Sequence, residues 1–274
     1  MRIYATVVYL FLYIPIGLIV LFSFNAGRHA SELRGLSIQW YGKALSNPFA
    51  GDAFFTSLEI AFIVAILSSL MGTTAALALQ RVKGPLRIFL DGLIYISIMI
   101  PGIVIGIATL VALVTVFDFL NPLLATLWPQ GYSPPKLHMG YTSVIAAHTL
   151  FTMSLVIIMV RARIAGMDRT LIEASMDLYA SPWRTFYQVT LPQIYPAILA
   201  GFLLSFTFSF DDFIISFFVA GPNTTLPVYI FASIRRGITP EVNAIGTMVL
   251  AGSLSLLIVA QFFMRDGRRR AKVN

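Results

Sequence analysis

Asp211 and Asp212 stand side by side inside an apolar run from Ala197 to Val219. The run is long enough to cross a bilayer. Each carboxylate at the centre of a membrane helix costs roughly 2.5–3.5 kcal/mol on insertion scales, so a chain that keeps two gains something from them. A buried membrane acid suits a cation path, a proton relay, or a structural ion pair or interhelical hydrogen bond. A carboxylate partly offsets the hydration that a cationic amine loses on entry. Read as one helix, the run turns adjacent side chains about 100° apart, so the two acids cannot share a direction. Gly201, Ser205, Asp212 and Ser216 fall on one stripe, with Ser209 close by. That stripe is small and polar and should look into a helix bundle, which makes Asp212 the first candidate for a pathway. Asp211 lies on another side with Thr207. At ~1.5 Å per residue, Asp211 sits about 21 Å along a ~30 Å apolar core.

Other chemistries find little support. The sequence has no cysteine, which excludes disulfides and thiol ligands. His29, His138 and His148 are scattered, without the HExxH spacing of a zinc site. No Walker A loop is present. The closest fragment, Gly42-Lys43-Ala44, lacks the upstream glycine and the following Ser/Thr. If ATP drives this protein, another chain binds it. A net charge of +7 could suggest nucleic acid, but basic loops on one side of a membrane explain it better.

The elements that must position the acids are membrane helices. The chain is 58% hydrophobic and 11% charged, against about 25% charged in a soluble domain. Six apolar stretches of near-spanning length are expected at 5–24, 56–80, 92–118, 140–161, 197–219 and 243–264. Together they make one all-α membrane domain over 1–274. The first stretch reads as a span because its core is long and Phe24-Asn25-Ala26 is too bulky for a signal-peptide cleavage site. With both termini cytoplasmic, thirteen Lys and Arg fall inside, including Arg81, Lys83, Arg87, Arg161, Arg163, Arg169 and Arg184. Six fall outside: Arg28, Arg34, Lys43, Lys136, Arg235 and Arg236. That asymmetry sets the orientation. Pro101-Gly102 should kink the third span. Ser68, Ser69, Gly72, Thr73, Thr74, Ala75 and Ala76 should let the second span approach a neighbour closely.

Between spans four and five, residues 162–196 form a connection too long to be a simple turn. Thr170-Leu171-Ile172-Glu173 matches a capping box at a helix start, with Asp168 as the rival cap. Leu171, Ala174, Ser175 and Leu178 then share one face. Arg169, Glu173 and Asp177 share another. Ser181-Pro182 starts a second short helix, expected to end where the chain turns back at Leu191-Pro192. Such an amphipathic helix fits a partner's groove or a membrane surface equally well.

The string Glu173-Ala174-Ser175-Met176-Asp177-Leu178-Tyr179-Ala180, with Phe186 and Leu191-Pro192, resembles the EAA loop of ABC-importer permeases. Ser175 stands at the second alanine of that pattern and Tyr179 at its glycine. Glycine there would reach a left-handed helix end without steric cost. The resemblance extends to Ser23-Phe24-Asn25 with Gln39-Trp40-Tyr41. It continues from Leu204 through Asp211-Asp212 to Gly221-Pro222, Leu226-Pro227 and Pro240-Glu241-Val242-Asn243-Ala244. These strings are similar to the second permease subunit of spermidine/putrescine importers. One departure is Gly102, where that subgroup often carries an acid after the third-span proline.

The resemblance implies a six-helix type I ABC importer permease in a bacterial inner membrane, carrying a polyamine or another small organic cation or amino compound. It implies that Glu173, Ala174, Ser175, Asp177, Leu178, Tyr179 and Ala180 form a cytoplasmic coupling helix docking on an ATPase. It implies no enzyme activity and no cofactor on this chain, with ATP and Mg held by the ATPase. The implied partners are a second, non-identical permease, an ATPase homodimer, a periplasmic or lipid-anchored binding protein, and the lipid bilayer. An ion-coupled secondary transporter with Asp211 and Asp212 as proton sites is the rival from another class. It should show internal inverted repeats, and none is visible.

Overall fold

The computed structural model describes residues 2–28, 32–129, 132–237 and 239–270, with side chains described between Tyr4 and Ser255. His29 and Lys272 lie outside the described residues, as do the side chains of Arg2 and Arg265–Arg270. Helices dominate. In chain order they are α1 (Arg2–Ser23), α2 (Gln39–Ser46), α3 (Pro48–Leu79), α4 (Pro85–Met99), α5 (Gly102–Leu127) and α6 (Tyr141–Ala165). There follow α7 (Thr170–Asp177), α8 (Pro182–Thr185), a π-helical segment (Phe186–Thr190), α9 (Leu191–Asp211), α10 (Ile214–Val219), α11 (Leu226–Arg236) and α12 (Pro240–Arg270). Among the described residues, five segments are long and apolar enough to cross a membrane: Tyr4–Ser23, Pro48–Leu79, Gly102–Leu127, Tyr141–Ala165 and Pro182–Asp211. The sixth expected span falls within α12, whose side chains are described only to Ser255.

The chain groups into two compact units, Met1–Gly51 with Tyr229–Asn274, and Asp52–Val228. In the first unit α1 and α2 both pack on α12. Its loop gathers around Asn25, which is fully buried. The Asn25 side chain accepts from the backbone N–H of Gly27 (3.0 Å) and Arg34 (2.9 Å) and donates to the Glu32 carbonyl (2.7 Å). Trp40 Nε1 donates to the Asn25 carbonyl at 2.8 Å, and the Ser23 and Tyr41 hydroxyls lie 2.7 Å apart. The two strings Ser23-Phe24-Asn25 and Gln39-Trp40-Tyr41 are thus the two halves of one hydrogen-bonded loop. Asn47 Nδ2 donates to Glu241 Oε1 (2.7 Å) and to the Tyr229 hydroxyl (2.9 Å).

The second unit carries the functional residues. Its centre is Val156 of α6, with Gly72 of α3 and Gly201 of α9 against it. A Cβ on Gly72 would lie 2.7 Å from Val156 Cβ, and one on Gly201 would lie 3.2 Å from Val156 Cγ1. Small residues here let three helices close on one valine. Ser68 and Thr152 join α3 to α6 at 2.6 Å. Two apolar clusters flank this point, one around Ile60, Val144 and Val219 and the other around Leu79, Ile94 and Val160.

The third expected span does not kink; it breaks. α4 ends at Met99, Ile100 is extended (φ −68°, ψ 133°), and α5 begins after Pro101. The Pro101 ring disfavours helical backbone at Ile100, which ends the helix there. The turn expected at Leu191-Pro192 is absent. α8, the π segment and α9 run on as one helical stretch. Pro192 has no N–H to give and its ring crowds the carbonyl four residues back. A local i→i+5 turn, closed by Leu191 N–H on the Phe186 carbonyl, absorbs that conflict.

Candidate functional site

The coupling loop is Gly166–Ser181, shorter than the expected 162–196, because α6 runs to Ala165 and the helical stretch resumes at Pro182. The capping box does not form, and the rival cap prevails. Asp168 Oδ1 accepts from the Thr170 N–H (2.9 Å) and the Thr170 hydroxyl (2.7 Å), which makes Thr170 the first helical residue. These hydrogen bonds hold the Asp168 carboxyl below its ordinary range. Ser181 caps the next helix as expected, accepting from the Arg184 N–H at 3.4 Å.

The C-terminal end of α7 is a Schellman turn. The Ala180 N–H bonds the Ser175 carbonyl (3.1 Å) and the Tyr179 N–H bonds the Met176 carbonyl (2.9 Å). Tyr179 has φ +60°, so a tyrosine holds the left-handed position that glycine occupies in the family pattern. Ser175 Oγ lies 2.9 Å from Thr185 Oγ1 and ties α7 to α8, a bond that alanine could not make.

α7 has no buried residue. Leu178 is 82% and Tyr179 97% exposed, and Leu171 and Ala174 are exposed beside them. Glu173 is exposed too, and it lines a cavity of about 780 Å³ with Arg81, Arg87, Arg161 and Arg169 of its own chain. Ile172 and Met176 share that lining. Asp91 bridges two of these arginines, pairing with Arg161 through both guanidinium nitrogens and with Arg87 at 3.7 Å. Leu171 and Ala174 of α7, with Leu178 and Tyr179 just beyond it, form an exposed apolar patch beside the exposed Glu173 and Asp177.

The acid pair does not sit inside one helix. α9 stops at Asp211, Asp212 is extended (φ −70°, ψ 119°), and α10 starts at Ile214. The helical stripe expected through Asp212 and Ser216 is thus interrupted. The two residues meet in another way: Asp212 Oδ2 accepts from the Ser216 N–H at 2.9 Å. His148 of α6, 2% exposed, completes the cluster. Its Nε2 lies 3.2 Å from Asp212 Oδ2 and 3.2 Å from Ser216 Oγ, and its Nδ1 lies 2.8 Å from Ser209 Oγ. Ser205, Ser209 and Ser216 are all buried in helix packing, and Ser205 Oγ has no partner among the described residues. Asp211 is exposed and has no hydrogen-bond or ion-pair partner among them.

Sequence reasoning weighed His148 only as a metal ligand. A signal was available, since an ionisable side chain within an apolar span is itself a functional candidate. No group of three or more potential metal ligands occurs among the described residues. Ring pairs such as Phe54–Phe210, Phe62–Phe202 and Phe151–Phe208 join neighbouring helices, which makes much of the phenylalanine content packing.

A helical membrane chain with two broken spans, an acid pair and a bare amphipathic helix is a transport permease. The model of the family described as binding-protein-dependent transport system inner membrane component matches residues 68–271, and the chain belongs to that family. It is 33% identical over 264 residues to the spermidine/putrescine transport system permease protein PotC of Escherichia coli K12, covering 96% of this chain and 93% of that permease. It is 34% identical to the putrescine permease PotI of the same organism, covering 95% and 89%. Among solved structures, a bacterial ABC transporter that imports the acidic polysaccharide alginate matches with TM-score 0.74 at 16% identity, over 96% of this chain and 93% of that one. An amino acid ABC transporter matches with TM-score 0.55 at 19% identity, over 84% and 99%. Those two likenesses concern the fold alone. The chain is a transport permease and not an enzyme, and the secondary-transporter reading falls away.

Proposed function

We propose that this chain is the second permease of an ATP-driven importer for polyamines, spermidine or putrescine, with six spans and both termini in the cytoplasm. The observation that carries the cargo is the near-full-length likeness to polyamine permeases. An acid left exposed at a helix break is the chemistry that an alkylammonium cargo requires. Another small organic cation is the second reading, favoured by Gly102 in place of an acid.

The partners are a second, non-identical permease, a periplasmic or lipid-anchored binding protein, and an ATPase homodimer that holds ATP and Mg. The apolar face of α7 meets a groove of the ATPase. Closure of the ATPases on ATP pulls α7 and switches the permease to its outward-facing state. Coupling arises because nucleotide binds one global state better than the other. The binding protein then delivers cargo to the outer mouth, where Asp211 offers a carboxylate in place of lost water.

The test is uptake by the assembled complex in proteoliposomes, with its binding protein outside and ATP inside. Labelled spermidine or putrescine should accumulate, and excess unlabelled polyamine should compete. Uptake of a different amine that polyamines fail to compete would overturn the cargo.

A further inference from the structure

The break between α9 and α10 is capped by its own Asp212, whose Oδ2 accepts the Ser216 N–H at 2.9 Å. Sharp helix breaks almost always trace to proline, glycine or an inserted group. Asp211-Asp212-Phe213 contains no proline and no glycine. In the third span, by contrast, Pro101 explains the break directly. In the fifth span the inserted group is the Asp212 carboxylate, and His148 of α6 packs against it.

We infer that His148 is the positioning residue of the transport path: it holds the fifth span broken, so that Asp212 is consumed in structure and Asp211 is left facing the cargo. The inference rests on the reading of this chain as a cation permease. His148 Nε2 lies 3.2 Å from both Asp212 Oδ2 and Ser216 Oγ, and Nδ1 lies 2.8 Å from Ser209 Oγ. One imidazole therefore binds the last turn of α9 through Ser209, the break through Asp212, and α10 through Ser216.

α10 is held to α6 at its other end too, where Ser143 Oγ donates to the Val219 carbonyl at 2.7 Å. With both ends fixed, α10 packs on the start of α5. A Cβ on Gly102 would lie 3.6 Å from Ile214 Cδ1, and one on Gly106 would lie 2.7 Å from Phe218 Cδ2. The two breaks of the bundle are thus neighbours, and His148 sets the register of one against the other. Asp212 already holds the Ser216 N–H and the imidazole. Asp211 holds nothing among the described residues and is exposed. This reverses the order of the acids expected from the helical stripe.

Two measurements separate this inference from the cargo assignment. The first needs no transport. The sequence has no native cysteine, so Asp211→Cys in the assembled complex reports its own exposure to a small cationic thiol reagent. Labelling should slow at least tenfold when His148→Ala is added. It should recover within about threefold with His148→Gln, whose terminal amide reaches the Nε2 position. His148→Asn reaches only the Nδ1 position and should not rescue. The second measurement is uptake. His148→Ala should raise the KM for cargo at least tenfold, as Asp211→Asn does, and the double variant should be no worse than either alone.

Unchanged labelling of Asp211→Cys in the His148→Ala background overturns the positioning role, whatever the cargo proves to be. So does a raised cargo KM in Asp212→Asn with none in Asp211→Asn. Should His148→Ala fail to assemble, the contrast between His148→Gln and His148→Asn decides, and equal behaviour of the two counts against the inference. Correct labelling without polyamine uptake leaves the positioning role standing and refutes the cargo.

Discussion

The coupling helix and the acid-bearing break are held in shape by opposite means. α7 relies on its own backbone and its ends. Asp168 caps its start, the Schellman turn through Tyr179 and Ala180 closes its end, and a single side-chain bond, Ser175 to Thr185, ties it to the following helix. No residue of α7 is buried. The break at Asp212 relies on its own capping carboxylate and on a neighbouring helix, through the buried His148. A self-held helix can enter a partner's groove without losing its form. A break held from α6 cannot keep its form if α6 moves. The first arrangement suits a lever, and the second suits a part that must respond when the lever moves the bundle.

The largest expected effect comes from breaking the packing on which the second arrangement depends. Gly72→Leu would drive a side chain into Val156 Cβ and the Met153 carbonyl. Overpacking of this kind costs about 1–3 kcal/mol and sometimes more, and here the neighbours include backbone. The expected result is little assembled complex in detergent, read by size-exclusion chromatography with the partner chains co-expressed. Gly72→Ala should show a milder loss. Normal assembly of Gly72→Leu would mean that the three-helix contact on Val156 does not hold the break.

A smaller effect on folding and a large one on function is expected at the lever. Leu178 is 82% exposed, and a surface substitution there changes stability by about 0.5 kcal/mol or less. Leu178→Glu should therefore leave the permease assembled in the membrane. It should cut cargo-stimulated ATP hydrolysis at least tenfold, because a buried interface centre does not tolerate an unpaired charge. Full stimulation in this variant would move the docking contact away from the apolar face of α7.

The lever was legible in the sequence because its signals are local. The small residues at 174 and 175, the Ser181-Pro182 cap and the apolar spacing of α7 all lie within a dozen residues. One local ambiguity, Thr170 against Asp168 as cap, was decided by geometry: Asp168 reaches the first free N–H groups and Thr170 is already helical. The break was not legible. No proline or glycine lies between Ser209 and Ser216, the Asp212 cap sits in an otherwise continuous helical pattern, and the histidine packed against it lies about 60 residues earlier. The continuous stripe expected through 197–219 follows from the helical period alone, and period says nothing about a side chain arriving from a neighbouring helix. The third span shows the converse, since Pro101 announces its break in the sequence.

A subtler effect is expected at Tyr179. Left-handed backbone costs a non-glycine residue roughly 1–2 kcal/mol, while glycine costs roughly 0.5–1 kcal/mol in chain entropy. Tyr179→Gly should thus stabilise the α7 end by less than about 1 kcal/mol and slow hydrogen exchange at the Tyr179 and Ala180 amides by up to about fivefold. If coupling falls while exchange slows, the tyrosine ring is itself a docking contact. If both improve or hold, the ring is tolerated and the turn is what matters.

The smallest effect concerns the cap. Asp168 has a carboxyl lowered by its hydrogen bonds to Thr170, and it is fully exposed. A group whose folded pKa is depressed stabilises the structure above its unfolded value, about 3.9, and loses that contribution as pH falls through the folded value. Acidification from pH 6 to below about 4 should therefore loosen the start of α7, seen as faster intrinsic-rate-corrected exchange at the Thr170 and Leu171 amides. Asp168→Asn keeps an accepting oxygen and cannot titrate, so its exchange should be flat over the same range. The break should not follow this cap, because the hydrogen bonds that hold Ser216 and Ser209 do not involve Asp168. Parallel acid loosening at Ser216 would show that lever and break share one unfolding unit, and the contrast between a self-held helix and a neighbour-held break would then fail.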